Sequence, residues 1–192
     1  MMNSAKAPKP VCVYQIKITL KKSQPPIWRR IQVKSNTTLH KLHQILQIVM
    51  DWGDEHAHQF IINNILYDMS NEAYHGLVET EDEREYKLNQ LIPAPKFRFE
   101  YEYDFGDSWE HVLLVEKILP FQEEVDYPVC LEGAGACPPE DIGGISGYYH
   151  FLNIIQNPKH PEYEEMREWV AKDFDPEVFD MKEINRQLRC LK

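Results

Sequence analysis

Two short strings carry most of the chain's chemically capable side chains: YDFGDSWEH, residues 103–111, and CPPEDIGG, residues 137–144. Asp104, Asp107, Glu140 and Asp141 are hard oxygen ligands of the kind that hold Mg²⁺ or Mn²⁺, and His111 is available as a further ligand or as a base. A cation in such a set lowers the pKa of a bound water and supports phosphoester cleavage. The strings therefore describe a metal-dependent hydrolase or nuclease on one condition, that two loops far apart in sequence converge. The structural alternative is plainer. Asp107 and Ser108 would make a turn, Asp104 and Glu102 would hydrate a strand, and Glu140 with Asp141 would cap the turn or helix after Pro139.

Other chemistries draw on fewer residues. Cys137, with Gly135 and Pro138 close by, is a candidate nucleophile if His111 or His150 can activate it. Cys130, Cys137, His56 and His58 are soft or borderline ligands, but the four cysteines (12, 130, 137 and 190) contain no CxxC pair and no zinc spacing. GAGACPPEDIGG has glycines that could cradle an anion but no following lysine. His40 and His43, three apart, share a helix face, where surface or packing roles are commoner than metal binding. Lys17, Lys21, Lys22, Arg29, Arg30 and Lys34 surround Trp28, a basic hairpin with an aromatic of the kind that binds nucleic acid. Arg29 falls on the apolar side of its strand and is expected to pair with an acid from the later part of the chain.

Charge supports either use of that hairpin. The net charge is −10, yet no acidic residue precedes Asp51 while nine Lys or Arg do, leaving 12 basic against 31 acidic residues beyond. Such polarity can meet a polyanion or can neutralise itself within one domain, and self-complementation is the preferred reading. No apolar run is long enough for a membrane span, and MMNSAKAPKP lacks the apolar core of a signal peptide, so a cytoplasmic protein with reduced thiols is expected.

The elements that must position these side chains follow from periodicity. Residues 1–10 read as a disordered tail, and 11–192 as one domain. VCVYQIKITL and IWRRIQVK alternate apolar and polar residues as a hairpin. A helical stripe of Leu39, Leu42, Ile45, Leu46, Val49 and Trp52 follows a Thr37 or Thr38 cap and ends at Gly53. DEHAHQFIINNILYDM reads as a strand, an Asn63-Asn64 turn and a short return strand, with His56 and His58 on one face of the first. Residues 71–85 read as an acidic surface excursion of little consequence. YKLNQLIPAPKF is a short strand or a turn of helix. Phe97 to Lys117 is the central hairpin: a two-residue Gly106-Asp107 turn would set Asp104 opposite Trp109 and Glu102 opposite His111, sharing one face. Residues 119–145 read as a long loop, and three helical segments close the chain, the last capped by Asp175 with Pro176 at its first position.

WRRIQV, TLHKLHQILQIVMDW, HAHQF, YEYDFGDSWEH, CLEGAGACPPEDIGGISGYYHF and FDPEVFD occur in that order between about Tyr14 and Leu188, and together they resemble the plasmid pRiA4b ORF-3-like family. The resemblance implies a compact α+β domain of bacteria and archaea that sometimes travels under a transposon-passenger label of the TnpR type. It carries no assigned reaction, and the chain has no serine-recombinase signature. The expected architecture is a single α+β domain, antiparallel hairpins packed by one helix from the N-terminal half and two to three C-terminal helices. The expected function is a non-enzymatic binding or interaction module associated with plasmid or mobile-element genes. Its site would be the groove between the 104–111 turn and the 130–144 loop, with Trp28, Arg29, Arg30, Trp52, His56, His58, Trp109 and Cys137 as binding residues. The metal-dependent hydrolase is the first alternative, nucleic-acid binding by the basic hairpin the second.

Overall fold

The computed structural model describes residues 10–69, 79–170 and 174–191; most of the expected N-terminal tail and residues 71–78 of the acidic excursion lie outside them. Alternation of apolar side chains gives β1 (Cys12–Leu20) and β2 (Trp28–Lys34). A helical period then gives α1 (Leu39–Met50). Next come β3 (His58–Ile62), β4 (Ile65–Asp68), the short β5 (Glu81–Asp82) and α2 (Leu88–Leu91). The central hairpin is β6 (Arg98–Tyr103) and β7 (Trp109–Pro120), and β8 (Val129–Ala134) follows. The chain ends in α3 (Gly144–Ile155), α4 (Tyr163–Trp169) and α5 (Met181–Cys190).

The strands form one sheet in the order β5-β4-β3-β6-β7-β1-β2-β8. Every named pairing is antiparallel except β4 with β5, so the sheet is mixed and the architecture is α+β as expected. Ile16, Ile18, Phe60, Tyr101 and Leu113 from the sheet bury in one cluster with Leu42, Ile45, Leu46 and Val49 of α1 and Ile184 and Leu188 of α5. The opposite side of the alternation carries Arg30, Glu100, Glu110 and Glu116, a polar face.

Local chemistry explains most boundaries. Thr38 caps α1 by accepting the Lys41 N–H, and Asn63 and Asn64, both at positive φ (52° and 65°), make the tight turn between β3 and β4. Four expectations need correction. Helix α1 stops at Asp51 (φ 57°), whose N–H returns to the carbonyls of Gln47 and Ile48, because aspartate tolerates the left-handed region; Gly53 is not the cap. Residues 119–145 are not one loop, since β8 lies inside them as an edge strand on β2, its pattern hidden by Gly133 and Ala134. Asp175 caps only a turn, accepting the Glu177 N–H, and α5 begins later behind Asp180. The central turn is longer than two residues, which shifts the register of the β6–β7 hairpin.

Because Leu42 is fully buried between α1 and the sheet, Leu42→Ala is expected to cost about 2–5 kcal/mol. Urea denaturation should show it as a lower midpoint at unchanged slope; an unchanged midpoint would contradict the packing described.

Candidate functional site

The register of the central hairpin decides which of its side chains can meet. Tyr103 pairs with Trp109, Glu102 with Glu110 and Tyr101 with His111, one residue away from the register of a two-residue turn. A slip of one exchanges the faces of a strand. The cause is Asp104: its Oδ1 accepts the N–H groups of Gly106 and Asp107 at 2.9 and 3.3 Å, and its carbonyl accepts that of Ser108 at 2.6 Å. The connection therefore runs from Asp104 to Ser108. Tyr101, Tyr103, Trp109 and His111 point into the core, while Glu102 and Glu110 take the polar face. His111 is thus not beside the carboxylates. It is fully buried against Trp52 and Tyr101, and its ring nitrogens make no well-directed hydrogen bond.

The two acidic loops do converge. Trp52 Nε1 donates to Pro138 O at 3.0 Å, and Glu140 accepts the Gly53 N–H at 2.9 Å and the Tyr103 hydroxyl. Asp107 Oδ2 accepts the Gly143 N–H at 3.0 Å. Gly144, at φ 66°, lies so close that a Cβ there would sit 2.4 Å from Asp107 O, which only glycine permits. These contacts engage both oxygens of Glu140 and one oxygen of Asp107 in holding the junction. What remains is a different triad. Asp104 Oδ2 lies 3.8 Å from His56 Nδ1, and Asp141 Oδ1 lies 3.3 Å from His56 Nε2, which has no well-directed hydrogen bond. One ligand atom from each of His56, Asp104 and Asp141 falls within 4.8 Å of the others. A cation at about 2.1 Å from its ligands allows separations up to about 4 Å and takes one His56 nitrogen, so Asp104 and Asp141 would have to close on the same edge of the ring to complete the set. Asp141 is exposed and opens the site to solvent. Asp51, Asp54, Asp104, Ser108 and Asp141, on the segments that meet here, all adopt positive φ, backbone strain of the sort concentrated at working sites.

A second polar cluster, not anticipated, lies deeper between α1 and β3. Glu83, from the stretch read as a surface excursion, is fully buried and accepts His58 Nε2–H and His40 Nδ1–H, each at 2.9 Å. Burial raises its carboxyl, but the hydrogen bonds from His58 and His40, with electrostatic attraction to His58 and His43, outweigh that and leave it below its ordinary value. His43 stacks on His58 with ring centres 3.4 Å apart. Its tautomer follows from its neighbours. The Asp54 N–H can only donate, so Gln47 gives it the amide oxygen (3.1 Å) and turns its NH₂ to the Tyr101 hydroxyl (2.9 Å). Tyr101 then donates to His43 Nδ1 (2.8 Å), and His43 Nε2–H donates to Asp54 (2.7 Å). The one sequence signal was position, for His43 and Gln47, four apart, fall inside the apolar stripe of α1. Nothing in the weakly patterned acidic stretch marks Glu83.

The remaining expected residues are dispersed. Burial pushes the Cys137 thiol up to about 12, which disfavours the thiolate, and raises Cys130, which lies instead beside Asn185 of α5. Trp109 is buried. Trp28 lies on the polar face with Lys17 and Arg30 over its ring at 4.4 and 5.0 Å. The basic hairpin is neutralised from within: Lys21 meets Glu100 and Glu110 (2.9 and 3.4 Å), Lys22 meets Glu110 (3.4 Å), and Arg30 meets Glu116 (2.7 Å) and Glu132. Arg29 does not pair with an acid; its guanidinium donates to backbone carbonyls.

Comparison with known proteins adds lineage. A family model described as plasmid pRiA4b ORF-3-like protein matches residues 12–183. An uncharacterized protein, y4hQ of Sinorhizobium fredii, is 31% identical over 175 residues, 91% of this chain and 89% of its own. The crystal structure of a protein of unknown function, MM3350 of Methanosarcina mazei Go1, superposes with a TM-score of 0.78 at 38% identity, covering 90% of this chain and 97% of that one. No helix among the described residues is long and apolar enough to cross a membrane.

Two buried imidazoles make the fold acid-sensitive. Burial, with the neighbouring His58 adding to it, lowers His43 to about 3; burial lowers His111 to about 4, partly offset by the carbonyls of Tyr101 and Trp109. Both are neutral in the folded chain and titrate near 6.5 once unfolded, so their penalty is absent above pH 6.5 and grows as pH falls below it. At pH 5 each costs about 2 kcal/mol. Urea unfolding at pH 7 and pH 5 should show the corresponding loss, and His111→Leu should remove roughly half of it; an equal loss in the variant would refute the assignment.

Proposed function

The chain belongs to the plasmid pRiA4b ORF-3-like family, and from that premise we propose that it is a divalent-cation-binding domain whose cation is held by His56, Asp104 and Asp141 where the two acidic loops meet. The observation that carries this reading is the 3.3 Å approach of Asp141 Oδ1 to a His56 Nε2 that has no hydrogen-bond partner. One imidazole and two carboxylates make a mixed nitrogen and oxygen set. That set suits Mn²⁺ or Zn²⁺ better than Mg²⁺, which prefers oxygen alone.

The protein's contribution is positioning. Asp104 is held by the turn it caps, Asp141 by the pinned loop around Pro138 and Gly143, and His56 by the edge of Tyr103, 5.8 Å between ring centres. A cation held by three protein ligands keeps positions open for a carboxylate or phosphate oxygen of a partner, which accords with an interaction module. The association with plasmid or mobile-element genes rests on the family's name. Metal-assisted hydrolysis is the second reading, favoured by the solvent exposure of Asp141, since a cation there can also polarise a bound water.

Mn²⁺ or Zn²⁺ is expected to raise the melting temperature, with about 2.7 kcal/mol of added stability at a concentration one hundred times the dissociation constant. Asp141→Asn, conservative at an exposed position of positive φ, should abolish the shift while leaving the metal-free melting temperature unchanged. Absence of any shift in the wild-type chain, or its persistence in both Asp141→Asn and His56→Gln, would dismiss the site. Calorimetric titration of the same variants gives the stoichiometry.

A further inference from the structure

Arg29 is a buried cation that the loop junction does not use. The alternation of β2 turns it inward, to 2% exposure. Nε donates to Val49 O at 2.7 Å, and Nη1 donates to Trp28 O and Ala134 O at 2.9 and 3.0 Å. The Phe179 ring covers the guanidinium face, 4.5 Å from Cζ to the ring centre. Among the described residues Nη2 makes no hydrogen bond, and no carboxylate lies within 4.0 Å of the group. Carbonyl oxygens orient a guanidinium without cancelling its charge, and a buried charge without a counter-ion is costly.

The group lines a cleft of about 340 Å³, at the small end of the range for ligand sites. Phe174, Phe179 and Ile184 give it apolar walls, and acids stand on its rim. Most of those acids are committed. Asp175 and Asp180 cap backbone N–H groups, and Glu183 pairs with Arg186 at 2.6 Å. Asp51 is different: its carboxylate is exposed, makes no hydrogen bond or ion pair among the described residues, and lines the same cleft as Arg29. The cleft thus presents a cation inside, an anion at the rim and an apolar wall between them.

We propose that this cleft binds a free α-amino acid with an apolar side chain, its carboxylate on Arg29, its ammonium toward Asp51 and its side chain against Phe174, Phe179 and Ile184. The charges discriminate among small ligands. A phosphate dianion is repelled by the acidic rim, a simple cation meets Arg29, and a plain alkyl carboxylate leaves Asp51 without a partner. Only a zwitterion answers both ends.

Calorimetric titration of the full chain with L-leucine and L-phenylalanine tests this directly. Saturable binding of at least one is expected. The matching acids, 4-methylpentanoate and 3-phenylpropionate, and the matching amines, 3-methylbutylamine and phenethylamine, should bind at least tenfold more weakly. Asp51→Asn keeps a residue that tolerates φ 57° and should weaken the amino acid tenfold or more. Arg29→Gln should abolish binding; because that change can also unfold the chain, Asp51→Asn decides. No saturable binding of either amino acid, equal binding of the matching acid, or undiminished binding by Asp51→Asn would each overturn the proposal. Repeating the titration with EDTA separates this cleft from the cation site, since amino-acid binding should be unaffected.

Discussion

The pairing of Tyr103 with Trp109 is the constraint on which the rest of the site depends. It makes both tyrosines of β6 core residues, and each then anchors one of the two polar clusters. Tyr101 joins Gln47 and His43 in the buried network, and Tyr103 reaches out to Glu140 and to the backbone of Glu55. A hydroxyl on a rigid ring at the end of a central strand is a fixed post. The loop that carries Asp141 is tied to it, and so is the segment that carries His56. Without that register the carboxylates of the turn and those of the CPPED loop would have no common reference.

The acids therefore divide into those that build and those left over. Glu140 and Asp107 accept the N–H groups of Gly53 and Gly143 across the junction and so tie the two loops together. Asp104 does both, with one oxygen in its own turn and the other facing His56. Asp141 accepts no hydrogen bond from a backbone N–H among the described residues, and its exposure suits a ligand-binding role. A similar division holds for the cations. Arg30, Lys21 and Lys22 close ion pairs on the polar face of the sheet, where each pair contributes modestly and the ladder as a whole neutralises the basic N-terminal third. Arg29, one residue from Arg30, faces the other way and finds only carbonyls.

The two polar clusters share one short segment. Asp54 closes the buried network through His43, and His56 belongs to the loop junction. His58 returns to the buried side at Glu83. Asp54 sits at positive φ, which redirects the chain between α1 and β3 and lets neighbouring residues serve different surroundings. The stacked His43 and His58 rings rest against Tyr101, so the post that positions the network also keeps both imidazoles out of water.

Short-range periodicity, local turn chemistry and composition were enough to read the class of fold, the first hairpin, helix α1 with a threonine cap at 37 or 38, the Asn63-Asn64 turn and the self-neutralising charge. The sequence also marked the two acidic strings whose loops meet. Only the tertiary structure decided which residues within them face each other. Alternation along a strand tells inside from outside only after the turn length is known, and Asp104 lengthened the turn by bonding its own successors, which sent His111 into the core. His56, expected as a binding residue or a soft-metal ligand with Cys130, Cys137 and His58, instead faces Asp104 and Asp141. Glu83 was illegible because a single buried carboxylate leaves no periodic trace; it is buried because histidines from α1 and β3, distant in the chain, supply the hydrogen bonds that make its burial tolerable.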